Sequence, residues 1–338
     1  MKKLSYLGRA AGLGMMGILI FGGCSGGRHE EPDIYGEEVE EPFLPGEKAS
    51  ESQVLPEEKE NGAEVLPGGK GPVEQESGEA DEPVLTEEDW GEYFDGFNGA
   101  AVVYDASAGR YRVYNSELAQ TRRSPCSTFK IISSLIALEK GIIEPDHSTR
   151  MWSGETFWNE KWNQDIDFAG AFRESCVWYF REVIDEIGQE AMQEELDRLS
   201  YGNCDISDWE GGLNTNNNNR ALTGFWIEAS LAISPKEQVE VMERIFGQES
   251  VYSEETRSQL KEVMRTQQET AVPVYGKTGM GVKDGITADA WFVGFAENTG
   301  ENINFCVYLG RTDHKEVSSS AAREIAIRLM EDLCAEDW

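Results

Sequence analysis

The run from Ser127 to Leu138, STFKIISSLIAL, constrains the fold of this chain more than any other segment. Its unbroken character predicts a helix, and its apolar residues recur on nearly every face rather than on one stripe, so protein has to surround it on all sides. Only part of the chain has the composition to supply the surrounding layers. Of 338 residues with a formal net charge of -33, residues 25–88 hold 20 acidic side chains, four basic ones, seven of the eleven prolines and only two aromatics, Tyr35 and Phe43. That stretch cannot bury enough apolar surface to offset chain entropy, and it reads as a disordered, self-repelling acidic spacer. Residues 89–338 carry all nine tryptophans and read as the folded domain, long enough for one large core or two subdomains sharing a cleft. The acidic balance argues against a sequence-independent grip on nucleic acid.

Residues 1–24 read as a targeting segment. Lys2 and Lys3 precede an apolar run from Ala10 to Phe21, too short to span a bilayer but of signal-peptide length. The run ends in Phe21-Gly22-Gly23-Cys24, which resembles a bacterial lipobox. That resemblance implies a lipid on Cys24 and an exported domain anchored to the outer face of the cytoplasmic membrane. The remaining cysteines, Cys126, Cys176, Cys204, Cys306 and Cys334, are odd in number and lack C-x-x-C spacing, so no disulfide framework is required. His29, His147 and His314 show no i, i+4 pairing, and no metal is expected.

Within the domain, residues 87–94 read as an acidic entry helix, and residues 100–105 and 111–114 as a hairpin turning at Ser107 to Arg110. Helices are expected near 127–140, over 170–200 (one or two), 235–246 and 254–266. From Val272 the pattern returns to strand in VPVYGKTG, ADAWFVGFAE and NINFCVYLG, before a last amphipathic helix over 318–333. The reading is therefore an α/β (α+β) domain. An antiparallel sheet flanked by helices is built from both ends of the domain, with an all-helical lobe inserted between them and a cleft where the two meet.

Three separated patterns point to one chemistry. Ser127 and Lys130 are three residues apart at the start of the buried helix, so the hydroxyl and the amine share a helical face. Such a pattern also describes a capping serine with a snorkelling lysine. The flanking FKIISSLIAL offers Lys130 no polar outlet, however, and a desolvated amine beside a hydroxyl is a base beside a nucleophile. Ser175, in FRESCVWYF, is a polar residue in apolar surroundings. Lys277-Thr278-Gly279 places a cation and a hydroxyl on a strand between Gly276 and Gly281, where a substrate carboxylate could lie against the strand edge. A phosphate loop is excluded, because its first glycine would fall at Ala271 and a strand follows instead of a helix.

Ser-x-x-Lys, a serine motif and Lys-Thr-Gly in that order resemble the penicillin-recognising serine enzymes. The details are similar to class D β-lactamases (oxacillinases) and to the sensor domains of β-lactam receptors. The resemblance spans residues 89 to the C-terminal helix and rests on SPCSTFKI, WNQD, ESCVWYF, Tyr201-Gly202-Asn203, FWIEASLAISPKEQV, YGKTG and WFVGF. Val177, where class A enzymes have asparagine in S-D-N, separates it from those enzymes.

The resemblance implies hydrolysis of penicillin-type β-lactams through an acyl-serine, and hence antibiotic resistance. Ser127 would be the nucleophile, and Lys130, carrying a carbamate derived from CO2, the general base, with no other cofactor. Ser175 would relay protons, Val177 and Trp226 would enclose the carbamate, and Lys277 with Thr278 and Gly279 would bind substrate. The N–H groups of Ser127 and Met280 would form the oxyanion hole. An arginine is expected just before the last helix, where alignment by spacing places Ser318 and leaves Arg311 seven residues earlier. The other reading is a lipid-tethered sensor or decoy that is acylated and does not turn over. A receptor's multi-helix membrane part has no counterpart in the sequence, and no obligate protein partner is implied. Whether Cys126 and Cys176, each beside a site serine, ever pair stays open.

Overall fold

In the computed structural model, which describes residues 84–283 and 285–335, six strands form one sheet: β1 (Val84–Glu87), β2 (Gly99–Asp105), β3 (Arg110–Tyr114), β4 (Val274–Lys283), β5 (Ile286–Asn298) and β6 (Glu301–Gly310), in the order β1-β3-β2-β6-β5-β4. Every neighbouring pair from β3 to β4 is antiparallel, so the sheet does join strands from both ends of the domain. Strands β2, β5 and β6 are apolar almost without interruption because both of their faces are covered. On β5, Trp291, Val293 and Phe295 enter one core, while Ala290, Phe292 and Ala296 enter the other. On β2, Val102 and Val103 divide in the same way.

The second core lies under α9 (Ser319–Ala335), whose Ala322, Ile325, Ala326, Leu329 and Met330 pack on the sheet beside Phe94 of the short helix α1 (Gly91–Phe94). The first core joins the opposite sheet face to the helical lobe. After α2 (Ser116–Ala119), a 3-10 turn over Cys126–Phe129 runs into α3 (Lys130–Glu139), which is buried from Lys130 through Leu138. The expectation of an enclosed helix therefore holds. Helices α5 (Val177–Ile187) and α8 (Glu254–Met264) pack against it, and the same core takes in α4 (Phe168–Arg173), α6 (Gln189–Leu199) and α7 (Pro235–Phe246). Three helices thus occupy the region read as one or two. Helix α7 begins where expected, with Pro235 at its first position and a reciprocal Ser234–Glu237 capping box.

Two boundaries differ from the sequence reading. Val84–Glu87, assigned to the spacer, form β1 and pair in parallel with β3, from Val84 opposite Arg110 to Glu87 opposite Val113. All four residues are exposed, so no apolar pattern marks the strand; β3 supplies the pairing, and Glu88 adds an ion pair to Arg112 at 2.6 Å. The entry helix accordingly shrinks to Gly91–Phe94, because Glu87 and its predecessors are engaged in the sheet. The leader, Cys24 and the rest of the acidic stretch lie outside the described residues. Among the described residues, no helix is long and apolar enough to cross a membrane.

Candidate active site

Ser127 is carried by a turn that several bonds hold in place. Cys126, immediately before it, adopts φ +49°, a left-handed backbone unusual for a residue with a side chain. Its N–H donates to the Trp226 carbonyl at 2.9 Å, and the Thr128 N–H and hydroxyl both donate to the Pro125 carbonyl, at 3.1 and 2.8 Å. Gln238, from the first turns of α7, donates to the Thr128 hydroxyl at 3.0 Å. Tyr201, of the Tyr-Gly-Asn segment, packs edge-on against Phe129 at 5.6 Å, and the Asn203 side chain bonds both Ser230 and Ala232. That segment supports the site without lining it.

Lys130 opens α3, fully buried, with its Nζ 3.0 Å from Ser127 Oγ and 5.4 Å from the centre of the Phe180 ring. Burial penalises the ammonium form and brings the amine down from 10.5 to about 8. Trp226 is buried too, and its indole N–H has no hydrogen-bond partner among the described residues. Phe129, next to Lys130, stacks on that indole with centroids 6.1 Å apart, and any side chain at position 224 would run into its ring, so Gly224 makes room for it. An orphaned donor and a readily neutralised amine suit a carboxylated lysine: the amine can capture CO2 only when neutral, and the product anion needs a donor in a dry pocket.

Ser175 sits in the bend between α4 and α5 at φ +57°. The Trp162 indole, from WNQD, donates to the carbonyl of Glu174 at 2.9 Å, and the Cys176 N–H donates to Ala171 at 2.8 Å, which fixes the bend. Val177 then opens α5 and packs against the first core.

Strand β4 brings the third motif to the same place. A Cβ on Gly279 would stand 2.9 Å from both the Pro125 carbonyl oxygen and Thr128 Cγ2, so only glycine lets β4 lie directly against the turn that carries Ser127. Lys277 is buried, 5.7 Å from the Phe172 ring, with its amine 3.1 Å from the Thr278 carbonyl and 3.3 Å from the Thr278 hydroxyl. Burial, and then the charges of Lys130 and Arg323, push that amine well below its ordinary range. Met280 follows at the surface, 44% exposed.

Neither of the positions counted for the expected arginine lines the cavity beside Lys277 and Thr278. Ser318 accepts the Ala321 N–H at 3.2 Å at the start of α9, and Arg311 lines a separate cavity with Thr287 and His314. Arg323, one turn into α9, shares a cavity of about 660 Å³ with Gly276, Lys277, Thr278 and Phe292, and its buried Nε has no partner among the described residues. Arg323 stands three, four and seven residues before Ala326, Ile327 and Met330, all buried, so a cation on an apolar helical stripe was the signal available in the sequence. A slightly larger cavity, about 690 Å³ and lined by Tyr104, Glu243, Arg244 and Tyr252, holds none of the site residues named from the sequence.

A hydroxyl beside a buried amine, a second serine in a fixed bend and a lysine-bearing edge strand are the parts of a serine acyl-transfer site. The chain belongs to the penicillin binding protein transpeptidase domain family, whose model matches residues 99–331. It is 30% identical over 246 residues to the regulatory protein BlaR1 of Bacillus licheniformis; the match takes in 72% of this chain and 38% of BlaR1, so it spans about two fifths of that relative. It is 34% identical over 198 residues to the probable β-lactamase YbxI of Bacillus subtilis, covering 59% of this chain and 69% of YbxI. Among solved structures it resembles a class D β-lactamase from Bacillus subtilis, with a TM-score of 0.63 and 28% identity over 72% of this chain and 95% of that one.

Proposed function

We propose that this domain hydrolyses β-lactams through an acyl-enzyme on Ser127. The observation that carries the reading is the Ser127–Lys130 pair: the two groups are 3.0 Å apart, and burial sets the amine near 8, within reach of neutrality at working pH. Lys130 takes the Ser127 hydroxyl proton as Oγ attacks the ring carbonyl, the C–O bond forms, the ring C–N bond breaks, and Ser175 relays that proton to the departing nitrogen. The N–H groups of Ser127 and Met280 hold the carbonyl oxygen as it gains charge. Water then cleaves the ester and frees Ser127. Carboxylation of Lys130, enclosed by Val177 and Trp226, would supply an anionic general base for both stages. Lipid on Cys24 would keep the domain at the outer face of the membrane.

Lys277, Thr278 and Arg323 fit the carboxylate common to penicillins, since they line the same cavity, and Gly279 lets their strand lie against the turn that carries Ser127. Arg323→Ala is therefore expected to raise KM for a penicillin about 10-fold or more, with a smaller change in kcat, as loss of a charge-assisted contact kept in both ground and transition states requires. Equal KM values in the two proteins would move the carboxylate to another cation.

The similarity to BlaR1 favours a second reading, a tethered sensor or decoy that is acylated once. Turnovers per site of the purified chain with a chromogenic cephalosporin separate the two. Many turnovers support the hydrolase; a single stoichiometric burst supports the sensor; no reaction removes both.

A further inference from the structure

Glu228 is held in a backbone conformation that side chains rarely adopt, φ +51°, and both ends of the residue are bonded to the site. Its N–H donates to Ser124 Oγ at 2.9 Å, and that hydroxyl donates in turn to the Trp226 carbonyl at 3.0 Å, the same oxygen that accepts the Cys126 N–H. On the other side, Glu228 Oε1 accepts the Val282 N–H of β4 at 2.7 Å, and Oε2 accepts the Thr215 hydroxyl at 3.4 Å. Val282 lies immediately after a register shift between Gly281 and Val282 and two residues beyond Met280. Gly281, between them, packs so close to Cys126 that an added Cβ would be 3.1 Å from its Sγ. A single residue therefore connects the turn that carries Ser127 and the segment that carries Trp226, through its backbone N–H, to the end of β4 that carries Met280, through its carboxylate.

β4 is the last strand of the sheet, so beyond Met280 only β5 holds it on its paired side. An edge strand past a bulge has backbone donors with no ladder partner, and such an end is free to splay. A carboxylate accepting a backbone N–H makes a shorter and stronger bond than a neutral acceptor would. We propose that Glu228 is a positioning residue: by clamping the Val282 end of β4 to the Ser124–Cys126 turn, it fixes the separation between the Met280 N–H and Ser127 that acylation requires. The inference rests on the acyl-transfer reading for its kinetic consequence, but the clamp itself is a property of the unliganded chain.

Two measurements on the full chain test it. Glu228→Ala is expected to slow the second-order acylation of Ser127 by a fluorescent penicillin about 10- to 100-fold, less than outright loss of an oxyanion donor. It should also speed hydrogen exchange of the Val282 amide at least about 10-fold. Glu228→Gln, which keeps an acceptor oxygen at the same place, should restore both to within about threefold of the parent. Glu228→Gly removes the carboxylate while relieving the backbone, so it should behave like the alanine variant; wild-type acylation and exchange in the glycine protein would overturn the proposal, as would equal damage from glutamine and alanine. If the parent takes up no penicillin at all, the β-lactam reading fails. The exchange data then decide the clamp alone, with unchanged Val282 protection in Glu228→Ala overturning it.

Discussion

On the acyl-enzyme reading, Ser127→Ala is expected to leave no covalent penicillin adduct and to lower β-lactam turnover by about four orders of magnitude or more, the scale on which serine acyl-transfer enzymes lose activity with their nucleophile. The loss is chemical rather than structural. Ser127 is only partly buried, and among the described residues its hydroxyl's one hydrogen bond is from Lys130, so removing one oxygen opens no sizeable cavity, and the melting temperature should move by no more than a few degrees. Intact-protein mass spectrometry after incubation with a penicillin checks the first claim, and peptide mapping of the parent adduct locates the ester. An adduct that persists in the alanine protein, or that maps to Ser175, would remove Ser127 from its role and with it the meaning of its contact to Lys130.

Much of this site was legible in the sequence because its parts are local. Ser127 and Lys130 are one turn apart, and their juxtaposition follows from helical geometry alone, as the 3.0 Å contact bears out. Lys277-Thr278-Gly279 is legible for the same reason, although the need for Gly279 becomes clear only when β4 is seen against Pro125 and Thr128. Trp226 is another matter. It stands on an irregular segment that reaches the turn carrying Ser127 through a backbone bond to Cys126, and no periodicity leads there, so only the resemblance to a family singled it out. Arg323 was missed because counting from the end of the last strand assumes that the cleft is reached where the helix begins. Helix α9 begins at Ser319, and a side chain turns toward Lys277 and Thr278 one turn later. Strand β1 was invisible for a third reason: four exposed residues carry no pattern of their own, and their pairing is dictated by β3.

Stripping dissolved CO2 should lower turnover reversibly, and increasingly so as the pH falls below 8. With the Lys130 amine near 8, about half of the molecules hold it neutral at pH 8 but only about one in a hundred at pH 6. Because CO2 adds only to the neutral amine, with release of a proton, acid opposes carboxylation and added bicarbonate restores it. Trp226 sharpens the test. Its indole N–H is buried and has no partner among the described residues, and a single hydrogen bond from it to a buried anion is worth about 1.5–3 kcal/mol, or about 10- to 150-fold in the carboxylation equilibrium. Alanine would leave a large cavity beside Phe129 and Phe225 and cost several kcal/mol of stability. Phenylalanine removes the donor with far less loss of packing, and is the cleaner variant. Trp226→Phe should need about 10-fold or more additional bicarbonate for half-maximal activity, lose its carbon-13 carbamate signal at ambient CO2, and accumulate acyl-Ser127, because hydrolysis of the ester needs a base to activate water. Bicarbonate-independent turnover in both proteins, with no carbamate resonance in either, would leave the free amine of Lys130 as the base, and the orphaned indole N–H would then need a different partner.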